Sequence, residues 1–166
     1  HGVAEKIYFS GALGQSGVIV DAMLGIGFKG KMRSLFKEAA TEANKSGLPI
    51  LALDLPSGLE SDTGAAAPDA ITADHTITFV GKKRGSLTAS GPDFTGHLTL
   101  DKLGLNTSKY DVIKPKCVEL DKEQLLREVG LRKNDSHKGT FGSLLVIGGN
   151  ESMGGAVALA GEAALR

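Results

Sequence analysis

Apolar residues fall along this chain in short runs separated by glycines and polar turns. Val18 to Leu24 is one such run, rich in β-branched residues and of strand length. From Lys31 the spacing changes: Leu35, Phe36, Ala39, Ala40 and Ala43 recur at helical intervals, and Ser46-Gly47 supplies the stop. Pro49 then introduces Ile50 to Asp54, a second near-continuous apolar run. Strand, helix and strand, with both strands apolar on both faces, predict a βαβ unit in a parallel sheet and an α/β fold.

Further along, Leu55-Pro56-Ser57-Gly58-Leu59 predicts a tight turn, and Glu60 to Pro68 a polar loop. Ala73 to Val80 predicts a third strand. Lys82-Lys83-Arg84-Gly85 follows as a basic turn expected to face solvent. Gly96 to Leu100 predicts a strand nearer the sheet edge, and the unit is expected to close near Leu105. At the start of the chain, Lys6 to Phe9 predicts a short strand and Gly11 to Gly17 a loop. Asn106 to Lys116 is polar, contains Pro115 and reads as a linker; Asp121 is placed to cap a helix over Lys122 to Val129. Ser143 to Ile147 predicts another strand, followed by a glycine-rich loop and an alanine-rich helix from Ala156. The strand, glycine loop and helix therefore occur twice. The expected organisation is a first domain over 1–105, a linker with a short helix over 106–134, and the start of a second α/β domain over 135–166. His1 in place of a methionine, and a helical pattern running to Arg166, give the expectation that the chain is part of a longer protein.

Charge and composition remove several function classes. Lys plus Arg and Asp plus Glu number 19 each, so the net charge is zero and no field favours nucleic acid or an anionic membrane. No run approaches the length of a membrane span. Cys117 is the single cysteine, which rules out a disulfide framework and a cysteine metal site. The pattern shows no secretory signal, so the expected location is cytoplasmic. A small-molecule ligand is the remaining partner class, and a homo-oligomer is compatible with it.

Candidate chemistry gathers at the strand ends. Gly25-Ile26-Gly27-Phe28-Lys29-Gly30 matches G-x-G-x-x-G between a strand and a helical pattern, with Lys29 adding a positive charge suited to phosphate. Asp54 ends the next strand, roughly twenty residues on, where a dinucleotide fold binds a ribose hydroxyl. The same glycines also suit a plain tight turn. Asp21 stands inside an apolar run, and a buried carboxylate requires a cation, a donor or a ligand. Asp21 and Asp54 are expected at the C-terminal ends of neighbouring parallel strands, where open α/β sheets bind ligands. With the Ser57 hydroxyl they make an oxygen-rich cluster suited to a hard cation. His75 and His97 fall on strands and read as structural or exposed; His137, beside Lys138, reads as solvated. A Walker loop and a Cys-x-x-Cys pair are absent. From these residues alone, a nicotinamide-dependent dehydrogenase and a non-catalytic binding module both stay open.

Val20-Asp21-Ala22-Met23-Leu24-Gly25-Ile26-Gly27, Leu53-Asp54-Leu55-Pro56-Ser57-Gly58-Leu59 and Asp62-Thr63-Gly64 together resemble the NAD(P)H-hydrate epimerase domain. Ser136-His137-Lys138-Gly139, Val146-Ile147-Gly148-Gly149 and Gly154-Gly155-Ala156 resemble the opening of the ADP-dependent NAD(P)H-hydrate dehydratase domain. The bifunctional nicotinamide nucleotide repair family fuses the two in this order. The resemblance implies a Rossmann-like, three-layer, parallel-sheet epimerase domain and the first βα unit of a ribokinase-like domain. It implies an isomerase that interconverts the R and S hydrates of NADH and NADPH (NADHX and NADPHX), and a lyase that dehydrates the S form with ADP. It implies potassium ligation by Asp21 and Ser57, hydrate binding by Gly25, Ile26, Gly27, Phe28, Lys29, Gly30 and Lys31, and substrate contact and catalysis by Asp54. Ala156 matches a residue lining the hydrate site of the dehydratase. The family's Asn-rich upstream motif has no match in residues 1 to 17, so the epimerase site is expected to be incomplete here.

Overall fold

The computed structural model describes residues 13–14, 16–106, 115–129, 134–137 and 139–165. The strand expected over Lys6 to Phe9 lies outside them. The chain divides into two compact units, His1–Cys117 and Val118–Arg166.

Among the described residues, the first unit is built on a parallel four-stranded sheet in the order β1 (Ile19–Asp21), β2 (Ile50–Leu53), β3 (His75–Phe79), β4 (His97–Asp101). The fold is α/β. Register is continuous across it: Asp21 pairs with Ala52, and Ala52 with Thr76. β1 is shorter than the apolar run because the Asp21 carboxylate accepts the Met23 amide at 3.2 Å, a local side-chain turn that competes with the ladder. Helix α1 (Ser34–Lys45) connects β1 to β2. Its inward stripe is Phe36, Ala39, Ala40 and Ala43, at i, i+3, i+4 and i+7. Leu35, one position off that stripe, is 54% exposed. The helix stops where the sequence predicts: the Ser46 hydroxyl donates to the Ala43 carbonyl at 2.7 Å, and Gly47 follows at φ 72°.

The core joins Ala40 and Ala43 of α1 to Ile50 and Ala52 of β2, and to Ile71 and Ala73 of the following connection. Burial of an isoleucine side chain such as Ile50 or Ile71 contributes about 1.5–3 kcal/mol. Thr76 and Thr78 lie on the same sheet face, fully buried; the Thr76 hydroxyl donates to the Thr95 carbonyl of α2 (Gly91–Thr95) at 2.7 Å. The opposite face differs from the expectation of strands buried on both sides. Val20 is 55% exposed there, and Leu51, Leu53, Ile77 and Phe79 are half-buried, because α1 and α2 both pack on the first face.

The turn after β2 plunges inward. Leu55, Pro56, Ser57, Gly58 and Leu59 are all buried, with the Leu59 amide bonded to the Pro56 carbonyl and the Ile71 amide to the Ser57 carbonyl. Gly58 needs to be glycine: at φ 95°, a Cβ there would lie 2.8 Å from Ala70 and from the Met32 sulfur.

In the second unit, Asp121 caps helix α3 (Lys122–Val129), accepting the Gln124 amide at 2.7 Å, while Gln124 reaches back to the Asp121 amide at 3.3 Å. Helix α4 (Gly155–Ala164) follows the glycine loop. Ser143 to Ile147 is not a strand. It forms no ladder with the described residues, and Leu144, Leu145 and Ile147 are 71%, 79% and 86% exposed. A parallel strand requires a neighbour to pair with, and the described part of this unit supplies none.

Candidate functional site

Three segments meet at the C-terminal end of the parallel sheet: the β1 end with its glycine loop, the β2 turn, and the chain after β3. Asp21 is 3% exposed and fully engaged. Its Oδ2 accepts the Ser57 amide at 2.7 Å and its Oδ1 accepts the Ser57 hydroxyl at 2.6 Å. The same hydroxyl accepts the Leu24 amide at 2.8 Å and stands 3.5 Å from the Leu24 carbonyl. Asp21 therefore finds its donors in the turn of the neighbouring strand, which removes the desolvation cost of an unpaired carboxylate. Asp21 Oδ1, Ser57 Oγ and the Leu24 carbonyl are hard oxygens of the type that alkali and alkaline-earth cations take. Among the described residues no group of three or more His, Cys, Asp or Glu side chains is arranged for a metal.

Asp54 sits one position past β2 at φ 70°, a left-handed conformation that aspartate tolerates better than most residues. Its Oδ1 accepts the Phe79 amide at 3.0 Å, the Thr78 hydroxyl at 3.2 Å and the Lys83 ammonium. Burial pushes the Asp54 pKa up, but the hydrogen bonds from Lys83, Phe79 and Thr78 and the lysine charge outweigh it, and the carboxyl is held below its ordinary value. Asp54 is thus an ionised, partly buried base at neutral pH.

Lys83 corrects the expectation of a solvated basic turn. Its side chain is 17% exposed, and besides Asp54 it donates to the Thr78 hydroxyl at 3.2 Å and the Phe79 carbonyl at 2.9 Å. The signal that could have found it is positional: a lysine four residues beyond the end of the strand next to Asp54 lies at the same sheet edge.

The glycine loop is placed differently from a dinucleotide fingerprint. Gly25 to Phe28 closes a turn through the Phe28 amide and the Gly25 carbonyl, and Lys31, Met32 and Arg33 separate the loop from α1. The loop therefore does not open the helix. The Gly30 amide donates to Glu60 Oε1 at 3.0 Å, and the Ser61 hydroxyl donates to the Ile26 carbonyl at 3.0 Å. The Gly30 amide, then the Thr63 hydroxyl and the Lys29 charge, hold the Glu60 pKa below its ordinary value. Glu60 and Ser61, which sequence reasoning passed over, tie this loop to the β2 turn. Gly25, Ile26, Gly27, Lys29, Gly30 and Lys31 are exposed and Phe28 is half-buried.

His75 and His97 stack edge to face, ring centroids 4.8 Å apart, with His75 Nε2 2.9 Å from the Thr99 hydroxyl. Ala156 belongs to the second unit, in the first turn of α4, where a Cβ on Gly148 would lie 3.0 Å from Val157.

The family described as YjeF-related protein N-terminus matches residues 3–85, a stretch that contains Asp21, the glycine loop, Asp54, Ser57 and Lys83. The chain belongs to that family. Among its relatives, the bifunctional NAD(P)H-hydrate repair enzyme Nnr of Coxiella burnetii is 40% identical over 162 residues, covering 98% of this chain and 32% of the relative. The enzyme of the same name from Escherichia coli K12 is 43% identical over 149 residues, covering 90% and 29%. That of Methanothermobacter thermautotrophicus is 37% identical over 149 residues, covering 90% and 27%. The chain spans about a third of the length of the curated relatives it matches. Within this YjeF-related unit no described helix is long and apolar enough to cross a membrane.

Proposed function

We propose that this chain carries the substrate face of an NAD(P)H-hydrate epimerase, within a longer repair enzyme whose second activity is ADP-dependent dehydration of the S hydrate. The observation that carries the reading is the buried Asp21–Ser57 pair together with an ionised Asp54, set at the C-terminal ends of the neighbouring strands β1 and β2. These residues fall inside the stretch matched to the family whose relatives are named NAD(P)H-hydrate repair enzymes.

In this reading Asp54 meets the hydrated nicotinamide. Its carboxylate accepts the hydrogen of the ring hydroxyl and either orients the ring or takes the proton during epimerisation. Gly25 to Lys31 contacts the hydrate's phosphates, with Lys29 and Lys31 contributing positive charge. Asp21 and Ser57, with the Leu24 carbonyl, fit as part of a potassium shell. When bound, the ion would offset the pyrophosphate charge. Ala156 lines the hydrate pocket of the dehydratase part, and the ADP contacts are assigned to no residue of this chain. The reading carries a cytoplasmic location, a small-molecule partner and no role for nucleic acid.

A Rossmann dehydrogenase fits less well. α1 begins at Ser34, past the glycines, so the loop presents no helix N-terminus to a pyrophosphate.

The test is interconversion of separated R and S hydrates, followed by chromatography. The full-length protein is expected to equilibrate them faster in potassium than in sodium, and this chain alone to show little or no turnover. Asp54→Asn is expected to lower the full-length rate by about 100-fold or more. A full-length protein that leaves pure S hydrate unchanged overturns the reading.

A further inference from the structure

Lys83 stands outside the residues assigned above to substrate or cation, yet the local fold is arranged to bring it back to the site. An ordinary surface lysine extends its ammonium into water. Here the three ammonium hydrogens meet three acceptors: Asp54 Oδ1, the Thr78 hydroxyl and the Phe79 carbonyl. The path that returns it is strained. Val80 takes φ 67°, a conformation that β-branched residues rarely adopt, and the Gly81 amide closes on the Phe79 carbonyl at 2.7 Å. Asp54, at φ 70°, holds the equivalent place after β2. Left-handed residues thus end two adjacent strands on either side of one ion pair, and such outliers persist where surrounding structure enforces them.

The donors are also selective. Lys83, the Phe79 amide and the Thr78 hydroxyl all converge on Oδ1 of Asp54. Among the described residues no donor meets Oδ2, which is left as the oxygen that can face a ligand.

We propose that Lys83 is a positioning residue, which clamps Oδ1 of Asp54 and thereby presents Oδ2 to the substrate. The proposal rests on the reading of Asp54 as the group that meets the hydrate. Lys83 itself touches no substrate in it; its effect passes through Asp54. The Thr78 hydroxyl and Phe79 amide hold the same oxygen, so removal of the lysine loosens the carboxylate and does not free it.

The test uses the full-length protein with Lys83→Met, Lys83→Ala, Asp54→Asn and the Asp54→Asn/Lys83→Met pair, each checked for a native melting transition. Lys83→Met is expected to lower kcat for epimerisation by about 100-fold, the scale of a misplaced catalytic group, with KM changed by less than about threefold. Ethylammonium added to Lys83→Ala is expected to recover part of the lost kcat. The double variant is expected to be no slower than Asp54→Asn alone within about threefold, because both changes disable one unit. The carboxyl 13C resonance of Asp54 is expected to move in Lys83→Met.

A Lys83→Met protein that keeps kcat, or raises only KM, overturns the positioning role while leaving Asp54 in place, provided Asp54→Asn is slow. Multiplicative losses in the double variant overturn it as well. If Asp54→Asn itself epimerises at the parent rate, the reading of Asp54 falls and the positioning role falls with it, whatever the resonance shows. If Lys83→Met fails to melt as a folded protein, the ethylammonium response of Lys83→Ala decides: recovery supports the clamp, and no recovery from a folded, slow variant overturns it.

Discussion

A carboxylate as buried as Asp21 is tolerable only when its oxygens are met, and Ser57 meets both of them. Ser57→Ala would remove the hydroxyl donor to Asp21 and the acceptor of the Leu24 amide together. The expected loss is about 2–4 kcal/mol, set by leaving a charged and a neutral partner unsatisfied, measured as a lower urea midpoint. Ser57→Thr, which keeps the oxygen, is expected to lose less. Asp54 sets a pH dependence whose sign can be worked out. Its folded pKa lies below its ordinary value of 3.8, so the stabilisation is fully present above that value and is lost as pH falls below it, through the folded pKa. Glu60, also lowered from its ordinary 4.5, acts in the same direction. Urea midpoints measured between pH 6 and pH 3 are expected to fall at the acid end, and to fall less in Asp54→Asn. That Asp21 requires a partner was legible in a carboxylate inside an apolar run. Ser57 was legible as its neighbour from the turn after the next strand; that Asp54 turns instead to Lys83 was not, because it depends on how the chain after β3 folds back.

Elements show the same division between pattern and packing. The strands and α1 follow from periodicity, and consecutive strands lie beside one another in the sheet, as consecutive elements usually do. The glycines divide otherwise. Gly25 and Gly27 caught attention as a motif, yet a Cβ at either would meet nothing within 4 Å. Gly91 and Gly85 attracted none, yet a Cβ on Gly91 would stand 1.8 Å from the Gly85 carbonyl oxygen, and one on Gly85 2.0 Å from the Glu60 carbonyl oxygen. The Gly85 approach joins segments far apart in sequence, and the Gly91 approach depends on how α2 folds onto the turn before it, so no residue pattern marks either. Gly91→Ala and Gly85→Ala are expected to cost more than about 3 kcal/mol or to prevent folding. Gly25→Ala and Gly27→Ala are expected to stay within about 1 kcal/mol of the parent. Chemical denaturation of the four variants side by side checks the contrast, and comparable losses at all four positions would contradict it. Ser143 to Ile147 shows the limit in the other direction: its strand-like composition specifies an intention that needs a neighbour to become a strand.

At the scale of the first unit, the sheet carries helices on one face and leaves the other without a layer among the described residues. Parallel sheets are ordinarily covered on both faces. Here Val18 and Val20 are 63% and 55% exposed; Val20 pairs with Leu51 and Leu53 with Ile77, and Leu51, Leu53, Ile77 and Phe79 are half-buried. The chain's net charge of zero offers no long-range repulsion against association through this surface. The chain in isolation is therefore expected to bind a hydrophobic dye and to associate with rising concentration. Val20→Lys should reduce both. It places a charge on the open face, in the strand at one edge of the sheet among the described residues, where lysine also opposes strand addition. Because Val20 is mostly in solvent, the same change should move the unfolding free energy by no more than about 0.5 kcal/mol. Dye fluorescence and sedimentation at several concentrations, with a urea melt as control, check this. Unchanged association in a folded Val20→Lys protein would show that the open face is not what drives it, and would move attention to the exposed Leu144, Leu145 and Ile147 of the second unit.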